Sequence, residues 1–188
     1  MVENMRAIEG SNRFFVITGG PGSGKTTLVE ALEKVGYRRS IEAGRVVIQR
    51  QLSIGGNALP WGDRIQFAEL MLAQEIRSYE DALLATVPVF FDRGVPDVLG
   101  YLRLIGAVVP EPMKKAAAEY RYSRRAFIAP PWTEIFRQDE ERKQTFAEAV
   151  RTYEAMVTTY SELGYELVEI PTMHVEERVS FVLKKSGV

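Results

Sequence analysis

The chain has 188 residues, 46% of them apolar, which is enough to bury a sizeable core within one domain. Its 24 Lys plus Arg nearly balance 25 Asp plus Glu, so no overall basic field argues for nucleic acid, and a small ligand suits the charge better. There is no cysteine and only one histidine, which excludes disulfides, thiol nucleophiles and thiolate metal sites and is compatible with a cytoplasmic location. No stretch is long and apolar enough to span a membrane, and residues 1–12 read as a polar N-terminal tail ahead of one domain over residues 13–188.

Phe14-Phe15-Val16-Ile17 is a short apolar run suited to a strand buried on both faces. It runs directly into Gly19-Gly20-Pro21-Gly22-Ser23-Gly24-Lys25-Thr26-Thr27, which satisfies G-x-x-x-x-G-K-S/T. Leu28, Leu32 and Val35 follow at helical spacing, so the motif has the strand, loop and helix that phosphate binding requires. In such a loop Gly20, Gly22, Ser23, Gly24, Thr26 and Thr27 aim backbone N–H groups or hydroxyls at a phosphate chain. Lys25 reaches the β and γ phosphates, and the Thr26 hydroxyl suits a phosphate-bound Mg²⁺.

Gly36 ends the first helix, and residues 37–41 form a short strand with Glu42 at its end. A carboxylate there faces the cleft from the acceptor side, where it serves either as general base or as a helix N-terminal residue favoured by the dipole. Arg45 lies one turn later, able to bind an acceptor phosphate or to pair with Glu42. Residues 43–52 look helical. Residues 53–62, with Gly55-Gly56-Asn57 and Pro60, read as a loop able to cover a ligand. From residue 63 to 84 the face Ile65, Ala68, Leu72, Ile76, Tyr79 and Leu83 marks a long helix with Asp63 as its N-cap.

Residues 87–91 make the second apolar strand and deliver Asp92-Arg93-Gly94 at its C-terminal end, the edge of a parallel sheet where ligands collect. Asp92 occupies the position that holds Mg²⁺ or a substrate in such folds, or it caps the turn. Arg93 can meet a substrate oxygen or a neighbouring carboxylate. The helix beginning near Pro96 carries Asp97 and Tyr101 four residues apart, which places both beside the Asp92 turn as substrate-pocket candidates.

A further helix over residues 112–122 precedes a strand over residues 126–129. After Pro130-Pro131 and Trp132, the charged run through Arg137 and Arg142 forms a lid around residues 133–145, with Arg142 favoured over Arg137 as the arginine that closes on a transferring phosphoryl group. A long helix with the face Phe146, Val150, Tyr153, Val157 and Tyr160 ends at Gly164, a last strand covers residues 165–170, and a terminal helix covers residues 175–183. Trp132 is suited to stacking on a base or to covering the sheet edge, and His174 to capping. This alternation predicts an α/β fold: a three-layer α/β/α P-loop NTPase with a mostly parallel five-stranded sheet.

GGPGSGKTTL at 19–28, EAGR at 42–45, FFDRG at 90–94 with Asp97 following, and the run from IFRQDEERKQTF through GYELVEIP together resemble the nucleoside and nucleotide kinase branch of P-loop proteins. More closely, they resemble the small ATPases of the nicotinamide-riboside kinase (NadR-like) AAA domain group. The resemblance implies ATP and Mg²⁺ as cofactors, with Lys25 and Thr26 on the phosphates and the metal, Asp92 near metal or acceptor, and Arg142 in the lid. It implies phosphoryl transfer to a small-molecule acceptor such as a nucleoside, a nucleotide or a related metabolite. The alternative is a nucleotide-dependent switch or slow ATPase or GTPase that controls a partner. The absence of an N-K-x-D signature favours ATP over GTP.

Overall fold

The computed structural model describes residues 12–137 and 144–188. Among these, five strands form one sheet: β1 (Phe14–Gly19), β2 (Arg38–Arg39), β3 (Val89–Asp92), β4 (Arg125–Ala129) and β5 (Glu166–Glu169). Their spatial order is β2-β3-β1-β4-β5, and every pairing is parallel. Seven helices connect or follow the described strands: α1 (Lys25–Lys34), α2 (Ala43–Ile54), α3 (Arg64–Ala82), α4 (Val95–Leu104), α5 (Glu111–Glu119), α6 (Phe146–Glu162) and α7 (Val175–Ser186). This is the expected three-layer α/β fold.

Period-two alternation sorts the sheet into two cores. Phe14, Val16, Phe91, Ala126 and Ile128 face one side, where they pack with Tyr79, Leu102, Ala117, Met156 and Tyr160 from α3 to α6. Phe15, Ile17, Phe90, Phe127 and Ala129 face the other side, against Leu28, Val29 and Leu32 of α1 and Val179 and Val182 of α7. A parallel strand buried on both faces reads as a continuous apolar run, which is why β1 and β3 were conspicuous in the sequence. A third, smaller cluster of Val47, Ile48, Leu59 and Phe67 joins α2 to the start of α3.

Several helix faces differ from the spacing-based expectation. In α3 the buried residues are Phe67, Ala68, Glu75, Tyr79 and Ala82, whereas Ile65 and Leu83 are exposed. The first turn of α3 packs on α2 through Phe67, which rotates Ile65 outward. Along α6 the buried set is Ala149, Met156, Thr159 and Tyr160, offset from the face predicted around Val150 and Val157. Strand β2 is only two residues long, but Arg38 N–H donates to Pro88 O and Ser40 N–H donates to Phe90 O, so pairing continues along the chain. The loop at 53–62 is pinned by Asp63 N–H on Asn57 O and Ala58 N–H on Gln51 Oε1, and it buries Ala58 and Leu59. Asp63 caps α3 by accepting from Gln66 N–H, as its position implied.

The ring cluster of Phe14, Tyr79, Phe91 and Tyr122 fills the larger core, with Phe91 centroids 5.3 Å from Phe14 and 5.1 Å from Tyr122. Phe91→Ala removes the fully buried ring at its centre and is expected to cost about 3–5 kcal/mol of stability. Urea unfolding measures this directly; a loss under about 1 kcal/mol would mean that the ring is not part of a close-packed core.

Candidate active site

The C-terminal ends of β1 and β3 set the site. Ile17 is in register with Asp92, so the loop after β1 and the turn after β3 leave the sheet side by side. Gly22 and Gly24 adopt φ of 72° and 75°, left-handed values that a β-carbon disfavours, and these let the loop curl back on itself. Ser23 Oγ donates to Gly20 O at 2.8 Å and tightens the curl. Helix α1 then starts with no side chain capping its first N–H groups and no acidic residue in its first turn. That leaves Lys25, Thr26 and Thr27 at a helix N-terminus open to an anion.

Lys25 is buried, and its Nζ donates to Gly20 O at 2.6 Å and to Ser23 Oγ at 3.3 Å. The ammonium therefore lies against the loop whose amides would hold phosphate. Thr26 Oγ1 donates to Asp92 Oδ2 at 3.0 Å, while Asp92 Oδ1 is buried with no hydrogen-bond partner. Burial raises the Asp92 carboxyl from its ordinary 3.8 to about 6, reinforced by Glu42 and opposed by Lys25, Arg93 and the Thr26 hydrogen bond. Ser40 Oγ accepts from Asp92 N–H and anchors this turn to the end of β2.

Arg93 is non-glycine yet has φ of 74°, which costs on the order of 1 kcal/mol of backbone strain. The turn holds because its guanidinium bridges two carboxylates: Nε to Glu42 Oε1 at 3.0 Å and NH1 to Asp97 Oδ1 at 2.9 Å. Burial works against the Arg93 charge, but Glu42, Asp97 and Asp92 outweigh it and hold the group above its ordinary value. Asp97 accepts from Thr18 Oγ1 at 2.6 Å, Tyr160 Oη at 2.6 Å and Gly94 N–H at 3.0 Å as well as from Arg93. Four donors occupy its two oxygens, which makes Asp97 a strut of the site; of the pair expected to face a substrate, Tyr101 is the residue with a hydroxyl to offer.

A cavity of about 370 Å³ opens between the P-loop and helices α2, α3, α4 and α6. Its wall includes Pro21, Glu42, Arg45, Arg93 and Tyr101, which brings the acceptor-side candidates from three separate segments together. It also includes Glu75, three residues after Leu72 and four before Tyr79 and so on the same face of α3, where spacing alone does not mark a charged side chain as a site candidate. Glu75 is 2% exposed, and burial followed by Asp97, Asp92 and Glu42 raises its carboxyl well above the usual range, with Arg93 opposing.

A second cleft of about 380 Å³ lies on the other flank of the P-loop, lined by Gly22, Gly24, Trp132, Arg137, His174 and Arg178, among others. Arg178 donates to Ser23 O and Gly24 O and lies 5.5 Å over the Trp132 ring, so α7 is tied to the loop through a residue that sequence reading passed over. His174 sits at the N-cap of α7 but makes no side-chain cap. Arg142 and part of the lid region lie outside the described residues, as do residues 1–11 of the N-terminal tail.

A raised Asp92 means that the folded chain binds a proton more tightly than the unfolded one, so stability is lost as pH rises from about 4 through about 6. Asp92→Asn keeps an oxygen for Thr26 and carries no charge. It should therefore gain on the parent protein by on the order of 1–3 kcal/mol across that window, as read from denaturation at pH 4 and pH 7. A constant difference at both pH values would contradict the burial argument.

Among solved structures, NadR in complex with NR superposes with a TM-score of 0.70 at 17% identity over 99% of this chain, which spans about half (53%) of the NadR chain. The deoxyadenosine kinase of M. mycoides, with its products dCMP and dCDP, superposes at 0.65 and 13% identity, covering 93% of this chain and 98% of its own. The thymidylate kinase of Ehrlichia chaffeensis does so at 0.55 and 16%, covering 95% and 100%. No curated protein matches the sequence. The fold is thus that of P-loop kinases of the NadR and deoxynucleoside kinase type, and no helix among the described residues is long and apolar enough to cross a membrane. Residues 14–178 match the AAA_28 family, described as an AAA domain, and the chain belongs to it.

Proposed function

We propose that this chain is a kinase that transfers the γ-phosphoryl group of ATP, with Mg²⁺, to the hydroxyl of a small-molecule acceptor. The observation that carries the reading is the cavity beside the P-loop, walled by Glu42, Arg93 and Tyr101 on the side away from α1. A phosphotransferase needs a second pocket facing the end of the phosphate chain, whereas a nucleotide switch does not. The switch would instead call for a covering loop that gains order with nucleotide, and residues 58 and 59 are already buried in the protein core.

In this reading the loop amides of Gly20 and of residues 22–27 and the Lys25 ammonium hold the donor phosphates. Thr26 Oγ1 and the unpartnered Asp92 Oδ1 suit a hard cation that prefers oxygen ligands, and Mg²⁺ there would neutralise charge on the phosphates. The donor base extends toward the Trp132 and Arg178 cleft. The acceptor hydroxyl lies in the opposite cavity, where Glu42, held in place by its ion pair with Arg93, takes its proton as the oxygen attacks the γ-phosphorus. The bond between the γ-phosphorus and the β–γ bridging oxygen breaks and its electrons leave with ADP. Arg45 steers the acceptor, and Arg142 supplies the lid charge.

Lys25→Ala is expected to lower phosphoryl transfer by at least about 10²-fold, because a charged donor to the transition state is lost. Incubation with ATP, Mg²⁺ and a panel of nucleosides, nucleotides and small hydroxyl metabolites, scored for phosphorylated product by mass, tests both the reaction and the variant. Product from the lysine variant at the parent rate would overturn the assignment of the donor site. Glu42→Gln removes the base while keeping the side-chain shape, so its rate should fall by about 10²–10⁴-fold with ATP affinity unchanged. A rate unchanged by that substitution would transfer the base role elsewhere.

A further inference from the structure

One polar atom on the wall of the acceptor cavity, Glu75 Oε2, is buried and makes no hydrogen bond. Tyr101 Oη, also buried, has the Arg64 guanidinium as its hydrogen-bonding neighbour. Both residues line the same cavity. A buried group left unsatisfied costs about 1–3 kcal/mol, so folding alone gives no reason to keep a Glu where a Leu would pack. The same wall includes the apolar Phe67, Met71, Val98 and Met156 among charged residues such as Arg45, Arg64 and Arg151, and the Phe67 and Tyr101 rings meet edge to face at 5.5 Å. Aromatic and thioether side chains interspersed with hydrogen-bonding groups suit an aromatic heterocycle better than an aliphatic chain.

We propose that Glu75 and Tyr101 read the edge of a planar heterocycle carried by the acceptor, with Glu75 meeting a ring N–H and its adjacent carbonyl. This rests on the cavity being the acceptor site. A carboxyl that keeps its proton both donates and accepts, which matches that edge as a side-chain amide does. Its surroundings favour this form: it is 2% exposed, and it faces Asp97 on α4, Asp92 at the end of β3 and Glu42 before α2. Arg93, the cation among the described residues that opposes this most, is already bonded to Glu42 and Asp97, and Arg45, Arg64 and Arg151 line the same cavity. Tyr122, before β4, is neutral and its own ionisation is raised by burial and by Glu75.

The test is calorimetric binding, independent of turnover, of uridine and inosine against N3-methyluridine and N1-methylinosine, in which the ring N–H is replaced. The parent protein should bind at least one unmethylated nucleoside, with its methylated counterpart at least about 10-fold weaker. Glu75→Gln, which retains a donor and an acceptor, should stay within about 3-fold of the parent, while Glu75→Leu should bind at least about 10-fold more weakly and lose the methyl discrimination. Binding of a non-hydrolysable ATP analogue should be unaltered in both, and Glu75→Leu should melt no lower than the parent because it removes a buried orphan. No binding of any nucleoside, equal binding of the methylated pair, or full retention by Glu75→Leu would overturn the proposal. If Glu75→Leu does not fold, the methylated pair on the parent protein decides. The kinase reading stands or falls separately, on phosphorylated product from the metabolite panel.

Discussion

The site depends on one buried carboxylate. Asp97 accepts from Thr18 at the end of β1, from Gly94 and Arg93 in the turn after β3, and from Tyr160 deep in α6, and so ties three separate segments at one point. A charge this buried is costly unless every lone pair finds a donor, and here four donors supply that. The consequence travels outward through Arg93. Held by Asp97 on one side, its guanidinium presents Nε to Glu42, so the position of the candidate base is set by the chain Asp97, Arg93, Glu42. Positive φ at Arg93 is the strain accepted to place one guanidinium between two acids.

Four carboxyls, Glu42, Glu75, Asp92 and Asp97, crowd around two cations, Lys25 and Arg93. The structure relieves this crowding unevenly. Asp97 and Glu42 are compensated by Arg93, whereas Asp92 and Glu75 retain buried oxygens without partners and are pushed toward their neutral forms. The two unrelieved acids lie in different settings: Asp92 is beside the phosphate loop and next to a hydroxyl, and Glu75 is on a wall shared with apolar side chains and a tyrosine. A hard cation suits the first setting and a neutral hydrogen-bonding ligand suits the second. One electrostatic imbalance therefore marks two different recognition tasks.

What was legible in the sequence follows from whether chemistry was written locally. The P-loop was, because its turn needs glycines in fixed places, and Asp92 was, because a carboxylate ends a run of fully buried residues. The five-stranded parallel sheet was legible for the same reason: β1 and β3 are buried on both faces and leave no alternation to misread. Asp97 was found but its partner was not, since Tyr160 lies 63 residues away and meets it only through the packing of α4 on α6. Glu75 was missed because it shares the face of Leu72 and Tyr79 on α3, and a carboxylate there carries no local sign of whether it is buried or turned to solvent. Arg178 was missed because its role, donating to P-loop carbonyls, is a contact across 154 or more residues with no local signature.

The same asymmetry separates the two halves of the proposed reaction. Phosphate is the same on every nucleotide, and backbone N–H groups can hold it, so a single short segment suffices and carries a recognisable pattern. An acceptor differs from protein to protein, and the cavity proposed for it is walled by α2, α3, α4 and α6, each contributing several residues at positions that helical packing otherwise treats as interchangeable. A residue such as Glu75 stands out only once burial and partners are known together, because neither its type nor its spacing is unusual. Acceptor recognition in this fold is therefore to be sought among buried polar atoms that the protein itself leaves unsatisfied.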